Sequence, residues 1–118
     1  MKITFVLPGF IKIPMGGVKV VNEYANRLAE KGHEVTLVYP LALRTGNRGY
    51  ALRKKISSLI DRIQRVPESL YYTPNPIVNV MAVRNTTSKY IPNGDTIIAV
   101  GWQTAEAVAE FPAEHGRK

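Results

Sequence analysis

A chain of 118 residues with 45% hydrophobic content is long enough to bury a core and too short for a second full domain. The absence of Cys excludes disulfides and thiol chemistry, and no apolar run approaches the ~20 residues of a membrane-spanning helix, which is the composition of a soluble protein. The formal charge of +7 is concentrated in one stretch, where Arg44, Arg48, Arg53, Lys54, Lys55, Arg62 and Arg65 face the single acid Asp61, while the rest of the chain holds nine basic and eight acidic residues.

In chain order, Ile3, Phe5 and Leu7 alternate with Thr4 and Val6 and stop at Pro8-Gly9, which predicts a buried first strand over Lys2 to Leu7. A strand at the very start is not a signal peptide, so a cytoplasmic location is expected. The loop from Pro8 to Gly17 is long for a strand-to-helix connection, and it carries Lys12, Pro14 and Met15 ahead of the pair Gly16-Gly17. From Val18, the positions Val21, Ala25, Leu28 and Ala29 form the stripe of a helix packed on a sheet, with Glu23, Asn26, Arg27, Glu30 and Lys31 opposite. Gly32 ends that helix, and Val35, Leu37 and Tyr39 make a second strand closed by Pro40.

Leu52, Ile56, Leu59, Ile60 and Ile63 follow helical spacing, which predicts a second, amphipathic and basic helix from about Tyr50 to Arg65. Pro67, Pro74 and Pro76 break regular structure, and Ile77 to Val83 resumes as a third strand, followed by a polar loop from Arg84 to Tyr90. Pro92-Asn93-Gly94-Asp95 is a turn, and Thr96 to Val100 is a β-branched run of buried-strand type. Gly101-Trp102-Gln103-Thr104 then opens a last helix carrying Ala105, Val108 and Ala109, which Pro112 ends, and the remaining six residues read as a frayed tail.

The order β-α-β-α-β-β-α predicts an α/β fold: a Rossmann-like parallel sheet of about four strands, in the order 3-2-1-4, with flanking helices. Strand four is then an edge without a neighbour, and such an edge is expected to recruit a second copy as a homodimer.

The chemistry is read largely by exclusion. A dinucleotide fingerprint needs G-x-G-x-x-G at the first turn and an acid after the second strand, yet the chain has Pro8-Gly9-Phe10 and Tyr39-Pro40. Gly17-Val18-Lys19-Val20 lacks the spacing and the Ser/Thr of a phosphate-binding loop of the Walker type. His33 and His115 have no second ligand or nucleophile at a useful spacing, so no metal site and no triad is expected, and both imidazoles are expected in solvent. What remains is Gly16-Gly17 at a helix start, where free N–H groups meet an anion without a Cβ in the way. Lys19 lies beside it, Asn22 and Glu23 read as helix surface, and Trp102, Gln103 and Thr104 follow strand four at the same edge of the sheet. For Trp102, a place in the core or at an interface competes with a place in that cleft.

The stretches MKITFV, Gly16-Gly17-Val18 and NEYANRLAEKGHEVTLV from Asn22 to Val38 resemble the N-terminal domain of the family 4 retaining glycosyltransferases, which have the GT-B fold. The pattern GG…LA-x-x-GHEVTL carries most of the likeness, and Asp95 to Ala109 resembles that family's fourth strand and helix. The resemblance implies a nucleotide-sugar donor as substrate with no further cofactor, and Gly16 and Gly17 beside its diphosphate. It also implies a glycan or lipid-linked acceptor held by this half, with Lys19, Trp102, Gln103 and Thr104 on the acceptor side of the cleft. The family's His at the end of strand four has no counterpart, since Val100 and Gly101 stand there, and no catalytic residue is assigned. The C-terminal donor-binding domain is absent, so residues 1–118 are expected to be a partial N-terminal domain, a truncated half of a GT-B enzyme.

Two functions compete. One is an acceptor-side fragment of a sugar transferase used in building cell-surface polysaccharide, inactive alone. The other is a non-catalytic Rossmann-like module that docks on a protein or an anionic membrane surface through Arg53, Lys54, Lys55, Arg62 and Arg65, peripherally at the inner face. Nucleic-acid binding is set aside, because the positive charge lies on one amphipathic helix without interleaved aromatics and glycines.

Overall fold

The computed structural model describes residues 1–9, 15–41 and 72–118. They form β1 (Lys2–Val6), α1 (Gly16–Glu30), β2 (Glu34–Pro40), β3 (Asn79–Val83), β4 (Thr96–Ala99), α2 (Trp102–Ala109) and a 3-10 turn over Ala113–His115. The basic helix expected from Tyr50 to Arg65 lies outside the described residues. Among the described residues no helix is long and apolar enough to cross a membrane.

All strand pairs are parallel, and the sheet has the expected order β3-β2-β1-β4. Ile3 stands opposite Val35 and Thr96, and Phe5 opposite Leu37 and Ile98. The ladders run on past the strand ends, with Leu7 N–H donating to Val38 O and Val100 N–H to Val6 O, each at 2.9 Å.

Strand alternation divides the core in two. Ile3, Phe5, Leu7, Val35, Leu37, Tyr39 and Val78 meet Ala25 and Ala29 of α1 on one face. Val6, Val38, Val83 and Ile97 meet Val108 of α2 together with Ile91 and Phe111 on the other. Burial on both sides explains why Phe5, Val6 and Leu7 are apolar at consecutive rather than alternate positions.

Helix α1 begins earlier than the apolar stripe suggests. Val18 and Lys19 both donate their N–H to Met15 O, at 3.1 and 3.2 Å, so Gly16 and Gly17 are its first turn. It ends in a Schellman pair, Gly32 N–H to Ala29 O and His33 N–H to Leu28 O. Asn22, expected on the helix surface, is buried instead, with Nδ2 donating to Val18 O at 2.9 Å. It is a polar neighbour of the Tyr39 phenol, which is 1% exposed. Burial pushes that phenol above its ordinary value, and Asn22 acts less strongly in the opposite sense. Third-strand pairing starts at Asn79 rather than at Ile77 because the preceding residues are taken by a turn, in which Asn75 O accepts Val78 N–H and Asn75 Oδ1 accepts Ile77 N–H. Asn26 Oδ1 of α1 accepts Asn75 N–H at 2.8 Å and pins that turn to the helix.

The C-terminal residues correct the expectation of a frayed tail. Arg117 makes a parallel bridge to Thr96, accepting Ile97 N–H at 2.6 Å and donating to Asp95 O at 3.0 Å. His115, expected in solvent, is 8% exposed, with Nε2 at 2.8 Å from Ile91 O and its ring edge-on to Phe111 at 5.1 Å. The start of the β4 edge is therefore occupied by the chain's own backbone. The approach depends on Gly116, since a Cβ there, at a φ of +125°, would collide with the Gly94 carbonyl oxygen. Gly116→Ala is expected to cost roughly 1–3 kcal/mol and to release the tail from β4. A lower thermal midpoint together with dimer in light scattering is the expected result, and an unchanged midpoint in a monomer would show that the tail carries no such constraint.

Candidate functional site

In a parallel sheet of this kind the crevice lies outside the carboxyl ends of the strands, where neighbouring strands lead away in opposite directions. Here that point is between β1 and β4, because the chain leaves β1 toward β2 by way of α1 and β4 pairs on the opposite side. Each of the two strands is followed by a helix whose N-terminus meets the crevice, α1 above one face of the sheet and α2 above the other. Neither helix has a side-chain N-cap, at Met15 or at Gly101. The first amides of each donate to no N-cap side chain, and the helix dipole there favours a negative ligand.

At the α1 end, Gly16 and Gly17 are exposed, and a Cβ added to either would meet none of the described residues within 4 Å. Glycine is thus not required there by packing. Lys19 is exposed in the same turn. Lys12, Pro14 and the other residues of 10–14 lie outside the described residues.

At the α2 end, the chain leaves β4 through Gly101 at φ +91°, a left-handed conformation that L side chains rarely adopt. Thr104 is fully buried, its hydroxyl donating to the carbonyl of Val100 at 3.2 Å or of Gly101 at 3.1 Å. It is an anchor of the turn and does not line the cleft. Gln103 is half-buried, its Oε1 lying against Gly101. Trp102 is 72% exposed, which removes the reading as a core residue. The reason is helical phase: α2 buries Thr104, Ala107 and Val108, so position 102 projects from the opposite side at the rim.

Gly16, Gly17 and Lys19 thus open the helix that follows β1, and Trp102 and Gln103 open the helix that follows β4, the neighbouring strand. Residues 7–9, 15–19 and 100–104 have neither carboxylate nor imidazole side chains. Among the described residues no cluster of three His, Asp or Glu could hold a metal ion. Arg53, Lys54, Lys55, Arg62 and Arg65 lie outside the described residues. A depression lined by Gly94, Asp95, Ala113, Gly116, Arg117 and Lys118 sits where β4 begins, at the opposite end of the sheet from the crevice. Sequence reading did not foresee the burial of Asn22 beneath α1 or the role of Thr104. The signal for Thr104 was present, as a Thr three residues after a helix-opening glycine is placed to bond back to the preceding carbonyls.

Comparison of the chain with protein-family models, with curated proteins and with solved structures gives no match.

The two helix starts should respond differently to substitution. Gly101→Ala forces a Cβ to 2.8 Å from Gln103 Oε1 at a positive φ and is expected to lower stability by roughly 1–3 kcal/mol. Gly17→Val, placed in open space, is expected to change it by less than about 1 kcal/mol. Chemical denaturation of both variants checks the contrast, and equal losses would contradict it.

Proposed function

We propose that this domain is the acceptor-side wall of a sugar-transfer site of the GT-B kind, in which a nucleotide-sugar donor lies with its diphosphate at the start of α1 and a glycan or lipid-linked acceptor lies toward α2. The observation that carries the reading is the exposed Gly16-Gly17 turn, uncapped and open, at the switch point between β1 and β4. Two helix-N-terminal amides without a Cβ beside them suit a diphosphate better than a neutral ligand. The resemblance of GG…LA-x-x-GHEVTL to the family 4 glycosyltransferases supplies the reaction class. Lys19 adds a cation within the same turn. The reading assigns the protein to the cytoplasm and to synthesis of cell-surface polysaccharide.

In this reading the domain contributes one wall only, because its described rim has no acid, base or metal ligand. Transfer needs donor and acceptor positioned from both sides of a cleft. The isolated chain is therefore expected to give no turnover with a panel of nucleotide sugars and acceptors. A nucleoside diphosphate should nevertheless shift the backbone amide resonances of Gly16 and Gly17, with the shift weakened in Gly17→Val. Turnover above background, or shifts confined to other residues, would overturn the proposal.

The basic cluster between Arg44 and Arg65 favours a second reading, a non-catalytic module that docks on an anionic surface. Cations near such a surface contribute about 1 kcal/mol each, so engagement of Arg53, Lys54, Lys55, Arg62 and Arg65 gives salt-sensitive binding to the inner face of a membrane. Co-sedimentation with anionic vesicles at low salt, lost with neutral vesicles and in Lys54→Glu/Lys55→Glu, is the expected result. Equal binding to both vesicle types, or to neither, would rule it out.

A further inference from the structure

We infer that Trp102 is a stacking platform for a sugar ring, an inference that rests on the sugar-transfer reading and names the residue that holds the ring on the α2 flank. A tryptophan stabilises a fold by leaving water, and at 72% exposure the Trp102 indole does so only in small part. The backbone beneath it is nevertheless closely specified. Gly101 takes φ +91°, the Gln103 carboxamide closes over Gly101, and the buried Thr104 hydroxyl bonds back to the end of β4. The indole is thus a large amphipathic surface on a fixed base, with only two side-chain torsions to order on binding.

The surroundings narrow the occupant. Residues 100–104 have no charged side chain and the first charge along α2 is the exposed Glu106 carboxylate, which disfavours an anionic ligand directly over the indole. A docking protein helix needs a contiguous apolar patch, whereas the neighbours of Trp102 on α2 are Gln103, Ala105 and Glu106. A pyranose fits both conditions, because one face presents C–H groups to an aromatic ring while its rim of hydroxyls meets the Gln103 amide and water.

Trp102 is the single Trp of the chain, so its indole N–H gives one resonance that reports on this position alone. The experiment titrates methyl glycosides of common hexoses and N-acetylhexosamines, and separately uridine and guanosine diphosphate, into the 15N-labelled chain. A saturable shift of the indole resonance with at least one glycoside is expected. Followed at the Gln103 and Ala105 amides, binding of that glycoside should weaken about three- to tenfold in Trp102→Ala and be largely kept in Trp102→Phe. The thermal midpoint should hold in both variants, since the indole is exposed.

An indole that responds to the nucleotides and to no glycoside would replace the sugar by a base and overturn the inference. Diphosphate shifts at Gly16 and Gly17 with Trp102 silent to every glycoside would overturn it while leaving the sugar-transfer reading intact. Silence at both flanks would overturn both.

Discussion

The structure depends on β1 being hydrogen-bonded in parallel on both sides while both its faces are buried. A strand so enclosed has no water for its polar backbone, and every N–H and C=O must be met by β2 or β4. That requirement fixes the register of three strands at once. It also carries the ladder as far as Leu7 and Val100, where the last bonds are made to Val38 and Val6. Beyond those bonds the chain leaves the sheet, and the rim where it does so is the place where backbone groups are free to meet a ligand.

The outer edge of β4 poses the complementary problem, since its unpaired groups are a template for another strand. Part of the answer lies in the last residues. Arg117 occupies the start of the edge, and Lys118 Nζ reaches the carbonyls of Ala109 and Phe111 at the end of α2, where a cation suits the helix dipole. The device works because Gly116 lets its backbone come closer to Gly94 than a side chain would permit. His115 and Phe111 then extend the apolar layer under α2.

Strand order and the described elements were legible in the sequence because they follow from two periodicities, the alternation around Ile3 to Leu7 and the stripe from Val18 to Ala29, and from the chirality of crossovers. The tail was not legible. Glu114-His115-Gly116-Arg117 has no periodicity, and its order comes from a single long-range approach to Gly94 that a local pattern does not encode. Asn22 was misread for a related reason: a polar residue within the buried stripe looks like surface until its polar neighbours, Val18 O and the Tyr39 phenol, are known. At the candidate site the sequence indicated that Gly16-Gly17 opens α1 and that Trp102 opens α2, and both helices start there. It could not separate Thr104, whose hydroxyl turns inward, from Trp102, which projects outward, because that depends on the phase at which α2 leaves Gly101.

The two flanks of the crevice owe their relative position to the sheet rather than to each other. Helix α1 packs on one face and α2 on the other, so Gly16-Gly17 and Trp102 are held by separate halves of the core and joined through the paired strands β1 and β4. The two helix starts can therefore be altered independently, as a Cβ at Gly17 meets no described residue while Trp102 follows the constrained Gly101 turn. Such an arrangement suits a ligand with two chemically distinct parts. On the proposed sugar-transfer reading its anionic part would meet backbone dipoles that reorganise little on binding, and its ring an indole that has only two side-chain torsions to order.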